Sequence, residues 1–163
     1  MFPEDVQALA RQVLDRARGA GLTLVTAESC TGGLVAGALT AIPGSSDVVD
    51  RGFVSYSNAA KTQMLGVPMD LIDAYGAVSR PVAIAMAEGA LGASGAGAAV
   101  AVTGIAGPGG ATPGKPVGLV HFALGRQGHP TQHREKLFGD IGREAVRLAS
   151  VRAALQLLLD GLD

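Results

Sequence analysis

Ser29 and Cys30 stand side by side in the run Thr26-Ala-Glu-Ser-Cys-Thr-Gly-Gly33, an oxygen and a sulfur nucleophile beside the carboxylate of Glu28. An apolar stretch, Leu22-Thr-Leu-Val25, precedes the run, and a helix-favouring stretch, Leu34-Val-Ala-Gly-Ala-Leu39, follows it. The run therefore falls at a strand-to-helix corner. Backbone N–H groups are unpaired there and the helix dipole is positive, which suits both a nucleophile and an oxyanion. The same residue types also make ordinary structure. Ser29 can serve as a helix N-cap, Cys30 as a small buried spacer, and Glu28 as a cap for a local amide or a partner for a cation.

A serine hydroxyl attacks only when a base takes its proton. His121, His129 and His133 all lie outside the polar clusters, so a Ser–His–Asp arrangement is hard to assemble. A lysine serves when desolvation or a neighbouring cation lowers its pKa. Lys61 closes the run Tyr56-Ser-Asn-Ala-Ala-Lys61, among Ala59, Ala60, Met64 and Leu65. It reads either as this base or as a solvated surface lysine. Tyr56 reads either as a proton relay or as a half-buried strand aromatic.

Anion-binding chemistry has two further candidates. The loop from Thr103 to Gly110 carries Gly104, Gly107, Gly109 and Gly110 around Pro108, and such loops let backbone N–H groups converge on an anion. It is neither a Walker loop nor a GxGxxG sequence, so ATP and NAD are not indicated. Arg143 stands at the start of the last helical pattern, where a phosphate is well placed. A plain Gly-Pro turn and a surface salt bridge are the competing readings.

These residues need a scaffold. Val6, Leu9, Ala10, Val13, Leu14 and Ala17 have helical spacing, ending near Gly19 and Gly21. A strand is expected at 22–26, a helix at 31–41 and a strand at 52–57, with a helix through Lys61 to Leu65 behind it. Pro68 opens another helical turn. Ser79 and Pro81 start a helix that buries Val82, Ala85, Met86, Gly89 and Ala93. The run 98–102 reads as a central strand, and 117–124 with 131–138 as two antiparallel strands. Leu148, Val151, Leu155, Leu158, Leu159 and Leu162 share one face of a C-terminal helix. This alternation, ending in two consecutive strands, predicts an α/β fold: one domain over 1–163, a three-layer α/β/α sandwich with a mixed β-sheet.

Composition narrows the partners. Hydrophobic residues make 48% of the chain and charged residues 17%, as in a globular core-forming protein. A net charge of −1 gives no bulk attraction to nucleic acid or an anionic membrane. The single cysteine excludes an internal disulfide framework, and the histidine spacing matches no metal-binding pattern. The acidic Met-Phe-Pro-Glu-Asp start lacks the charge of a secretion signal, and no stretch has the length of a membrane span. A cytoplasmic protein is expected.

Taken together, TAESCTGG (26–33), YSNAAK (56–61), GAVSRPVA (76–83), TGIAGPGG (103–110), KPVGLV (115–120) and GREAVR (142–147) resemble the C-terminal domain of the CinA (competence/damage-inducible) family. That family includes nicotinamide-nucleotide amidohydrolases. The motifs occur in the family's order and cover nearly the whole chain. The resemblance implies hydrolysis of nicotinamide mononucleotide to nicotinate mononucleotide and ammonia, a step of pyridine nucleotide salvage. It assigns Ser29 as nucleophile and Lys61 as general base, with Tyr56 assisting. Glu28, Cys30, Thr31, Gly32, Gly33, Thr103, Gly104, Gly107, Gly109, Gly110 and Arg143 are then the expected substrate-binding set. No metal or organic cofactor is implied, and a homodimer or larger homo-oligomer is. Many family members add an N-terminal domain resembling molybdopterin-binding proteins; it is not read here, so its pyrophosphatase activity is not carried over. One departure concerns the phosphate. The family often has Gly-Asp-Arg directly before the last helix, whereas Ile141 and Gly142 separate Asp140 from Arg143 here, which leaves Arg147 in reserve. Two rival readings stand beside the amidase: a non-catalytic binding module of competence or DNA-damage responses, and a Ser–Lys amidase acting on another phosphorylated amide.

Overall fold

Side chains on the central strand alternate between two helical layers, and that alternation organises the molecule. The computed structural model describes all 163 residues. In chain order the elements are α1 (Glu4–Gly19), β1 (Leu24–Glu28), α2 (Leu34–Thr40), a 3₁₀ turn (Ser45–Asp47), β2 (Val49–Val54), α3 (Asn58–Leu65), α4 (Met69–Tyr75), α5 (Arg80–Ser94), β3 (Ala98–Gly104), β4 (Leu119–Arg126), β5 (His129–Leu137) and α6 (Arg143–Gly161). The five strands form one sheet in the order β2-β1-β3-β4-β5. β1 is parallel to both β2 and β3, whereas β3–β4 and β4–β5 are antiparallel. The sheet is mixed, as expected.

On β3, Ala98, Val100 and Val102 join the core beneath α1, α2 and α6, while Ala99 and Ala101 join the core beneath α3, α4 and α5. These opposite faces follow from the two-residue repeat of a strand. The result is a three-layer α/β/α sandwich. On α1 the buried residues are Val6, Ala10, Val13, Leu14 and Ala17, the helical stripe read from the sequence. The α5 layer sits close to the sheet because a β-carbon on Gly125 would stand only 2.9 Å from Leu91 Cδ1. No helix is long and apolar enough to cross a membrane.

Several boundaries differ from expectation for physical reasons. β1 begins at Leu24 and runs to Glu28, because Glu28 is still in register with Val54 on one side and Val102 on the other. β2 ends at Val54 rather than 57, since the Ser57 hydroxyl accepts the Ala60 N–H at 3.0 Å and so caps α3. Ser79 caps α5 in the same way, as predicted. Ala93, expected in the core, is exposed on the last turn of α5, whereas Ala83, Ala87 and Ala90 carry that helix's buried face. α2 begins at Leu34, three residues later than expected.

Candidate active site

The carboxyl ends of the parallel strands β1 and β3 open onto a cavity of about 290 Å³. Such a position is where ligands bind to open α/β sheets. Ser29, Cys30, Tyr56, Asn58, Lys61, Ala77, Val78, Thr103, Gly104, Ile105, Ala106, Gly107, Gly109, Gly110 and Arg143 line it. A larger hollow of about 590 Å³ between α1 and the end of α6 is lined by no serine, cysteine, histidine or lysine. No carboxylate lines the cavity beside the two β-strand ends.

Ser29 is the first residue beyond β1. Its N–H donates to the Val102 carbonyl at 3.0 Å, which fixes the start of the turn against β3. Lys61 lies on α3 and is only 1% exposed. Its Nζ stands 3.0 Å from Ser29 Oγ, 3.0 Å from the Ser55 carbonyl and 3.1 Å from the Tyr56 carbonyl. Burial pulls the lysine below its usual pKa range. In the neutral amine the two carbonyls can accept both N–H bonds, which leaves the lone pair for the serine proton. The surface reading of Lys61 fails, because a lysine this buried has left the solvent.

Cys30 is buried, and that burial pushes its thiol up to about 11. The thiol is therefore neutral near pH 7 and a weak competitor for Ser29. Glu28 takes the capping role of its two readings and not the substrate-binding one. It is 1% exposed, and its carboxylate accepts the N–H groups of Val35 at 2.9 Å and Ala36 at 3.1 Å, together with the Thr31 hydroxyl at 2.6 Å. The carboxylate takes the place of an N-cap for α2 and explains its late start. Glu28, Thr31, Gly32 and Gly33 do not reach the cavity wall. Gly32 and Gly33 instead supply the positive φ values, +57° and +100°, that turn the chain into α2.

Tyr56 also differs from expectation. Its backbone carbonyl touches Lys61, but the residue is 59% exposed and its phenol accepts a hydrogen bond from Arg143 Nη2 at 3.1 Å. The phenol bonds to neither Ser29 nor Lys61. Arg143 Nη1 donates to the Gly107 carbonyl at 2.8 Å, so the guanidinium bridges the glycine loop and Tyr56 at the cavity mouth. Both partners are neutral, which leaves its charge uncompensated by a carboxylate. Arg147 does not line the cavity; it donates to the carbonyls of Cys30 at 3.0 Å and Thr31 at 3.3 Å. Thr103 and Gly104, Gly107, Gly109 and Gly110 lie in the wall. Thr103 Oγ1 donates to the Ala77 carbonyl at 2.8 Å and ties the 77–78 segment to β3.

Sequence reasoning did not single out Asn58, Ala77, Val78, Ile105 or Ala106 as cavity residues. All five fall inside the quoted motifs, so a residue-by-residue use of YSNAAK, GAVSRPVA and TGIAGPGG would have found them. The four apolar members give the cavity a non-polar part suited to a flat ring. No cluster of three or more His, Cys, Asp or Glu side chains is arranged to hold a metal ion.

Comparison with known proteins agrees with this arrangement of motifs. The family model of the CinA C-terminal domain matches residues 6–162. A CinA-like protein of Myxococcus xanthus is 48% identical over 159 residues, covering 97% of the chain and 37% of that protein. One from Synechococcus sp. RCC307 is 52% identical over 159 residues, 96% of the chain and 38% of that protein. The chain thus spans less than two fifths of the length of these curated relatives. The crystal structure of the competence/damage inducible protein CihA from Agrobacterium tumefaciens superposes with a TM-score of 0.96 at 56% identity, covering 98% of the chain and 97% of that one. The competence damage-inducible protein A (ComA) from Klebsiella pneumoniae gives 0.92 at 36% identity, with 96% of each chain covered. By motif order, fold and sequence identity, the chain belongs to the CinA C-terminal domain family.

Proposed function

We propose that this cavity hydrolyses the carboxamide of nicotinamide mononucleotide, giving nicotinate mononucleotide and ammonia. The observation that carries the reading is the 3.0 Å contact between Lys61 Nζ and Ser29 Oγ, with Ser55 and Tyr56 carbonyls around the same nitrogen. Neutral Lys61 takes the Ser29 proton as Oγ attacks the amide carbon. The tetrahedral oxyanion is held by the free backbone N–H of Cys30, the residue after the nucleophile. That group has no backbone acceptor, whereas those of Ser29, Val35 and Ala36 are already engaged. Protonated Lys61 passes its proton to the leaving nitrogen, and ammonia departs as the acyl-enzyme forms. Water then attacks the acyl carbon with Lys61 as base, and Ser29 regains its proton.

The choice of a mononucleotide is supported by the family and by the layout of the cavity. Arg143, without a carboxylate partner, and the glycine loop offer donors to a 5′-phosphate, while Val78, Ile105 and their neighbours offer the ring a dry wall. Gripping a remote phosphate fixes the carboxamide against Ser29. The small nucleotide is the proposed partner, in a homodimer or larger assembly. Against a purely binding module stands Ser29, which reaches the cavity beside a buried base instead of being sealed under the turn.

The test is ammonia release from nicotinamide mononucleotide by the wild type, Ser29→Ala, Cys30→Ser and Lys61→Met. Loss of activity in the first and third variants, with Cys30→Ser active, is expected. Full activity in Ser29→Ala would overturn the assignment, and loss confined to Cys30→Ser would move the nucleophile by one residue. Release from other phosphorylated amides, but not from this one, would keep the chemistry and replace the substrate.

A further inference from the structure

Arg147 projects from the second turn of α6 to the turn after Ser29, 117 residues away from Cys30 in sequence. Its Nε and Nη2 grip two consecutive carbonyls, those of Cys30 at 3.0 Å and Thr31 at 3.3 Å. The peptide unit is planar and trans, so a carbonyl pinned in one direction aims the next N–H in the opposite one. Holding the Thr31 carbonyl therefore aims the Gly32 N–H at the Ser29 carbonyl, which accepts it at 3.0 Å, and the Ser29–Cys30 peptide plane so fixed aims the Cys30 N–H the other way. Cys30 lines the cavity and is buried, yet its N–H has no backbone acceptor. Buried amides without partners are rare in folded proteins. The Gly32 position is equally constrained: a β-carbon there would stand 3.1 Å from Arg147 Nη2. The turn is thus held from two sides, by the Glu28 carboxylate on the amides of α2 and by the Arg147 guanidinium on the carbonyls.

We propose that Arg147 is a positioning residue of the Ser29 site, which locks the turn with the unpaired Cys30 N–H free to receive an oxyanion. The inference rests on the reading of Ser29 as a nucleophile. The guanidinium contributes twice. It fixes the peptide planes, and its charge behind the Thr31 carbonyl polarises the Gly32 amide, strengthening its bond to the Ser29 carbonyl and, through that carbonyl, the Cys30 N–H as a donor. Arg143, one turn earlier, serves the mouth of the cavity; Arg147 serves the turn and makes no contact with the nucleotide.

The experiment follows two readouts on the same variants. The first is the rate at which a fluorophosphonate labels Ser29, measured by intact mass: the Oγ–P bond forms as P–F breaks, fluoride leaves, and Lys61 takes the proton. This readout is independent of the natural amide, so it remains decisive if the wild type labels yet releases no ammonia from nicotinamide mononucleotide. The second is kcat and KM for that nucleotide. Arg147→Met is expected to slow labelling and kcat by about 100-fold, the usual scale for losing an oxyanion donor, with KM within about twofold. Millimolar guanidinium is expected to restore part of the labelling rate. Arg147→Lys, which can hold one carbonyl at most, is expected to fall between the two and decides the matter if Arg147→Met lacks a cooperative thermal transition. Wild-type labelling by a folded Arg147→Lys and Arg147→Met, or a rise in KM with kcat unchanged, would overturn the proposal. So would failure of the wild type to label at Ser29.

Discussion

The Nζ of Lys61 lies 3.0 Å from the Oγ of Ser29 across 32 residues of chain. Because burial holds this lysine below its usual range, the amine is the working form over more of the pH scale than an exposed lysine would allow. Below the Lys61 pKa the amine is protonated and cannot accept the serine proton. The expected kcat/KM therefore rises with pH, about tenfold per unit, until it levels at a pKa below that of ordinary lysine. Lys61→Arg, which stays charged, is expected to lose at least about 100-fold at every pH. A flat profile from pH 6 to 10 would contradict the role.

Arg143 bridges Gly107 and Tyr56 without a carboxylate partner. Arg143→Met is expected to raise KM for the mononucleotide by about 10- to 100-fold, in line with a lost charge-assisted contact. The riboside, lacking phosphate, is expected to change little. Equal losses on both substrates would remove the phosphate from this end of the cavity.

Glu28 satisfies two amides of α2 and the Thr31 hydroxyl from within the core. Glu28→Gln keeps the shape but swaps one acceptor oxygen for an amino group facing backbone donors. The expected cost is about 1–3 kcal/mol in urea unfolding. An unchanged midpoint would show that the cap contributes nothing.

Gly89 and Gly92 on α5 form a natural pair of controls. A β-carbon at Gly89 would overlap the Leu65 carbonyl at the α3–α5 contact, while one at Gly92 meets nothing within 4 Å. Gly89→Ala is expected to destabilise by about 1–3 kcal/mol, and Gly92→Ala to stabilise by about 0.5–1 kcal/mol. Thermal midpoints moving in the same direction would refute the packing argument.

His121 Nδ1 and His133 Nε2 lie 2.8 Å apart on adjacent strands, facing Glu135, Arg80 and Lys115. Burial lowers both pKa values, with His133 adding to the effect on His121 and Arg80 to that on His133. The unfolded chain then binds protons that the folded chain refuses, so stability is complete above about pH 6.5 and declines as pH falls below it. His133→Gln is expected to reduce the slope of the thermal midpoint between pH 7 and 5. An unchanged slope would assign the acid sensitivity elsewhere.

The layers were legible because their signals are local. Leu22-Thr-Leu-Val25, the 98–102 run, the Ser79 cap and the stripe of α1 each follow from periodicity or capping within a dozen residues. Boundaries were less legible where a tertiary contact sets them. Glu28 reaches seven residues forward to the Val35 amide, which no propensity records. The burial of Lys61 was equally hidden, since parallel pairing of β1 with β2, not the composition of α3, brings it under Ser29. Arg143 and Arg147 share one face of α6, one turn apart, so their tasks depend on how the start of that helix is set against the mouth and the turn. Motif resemblance located both, and only the assembled helix separated them.

Ser29 and Lys61 come from the first 61 residues, but the arginines that brace the turn and the mouth belong to α6, the last element of the chain. During synthesis the nucleophile and its base leave the ribosome well before their supports. The pocket is therefore finished only when the final helix docks, and a nascent chain that holds the reactive pair still lacks the frame that aims it.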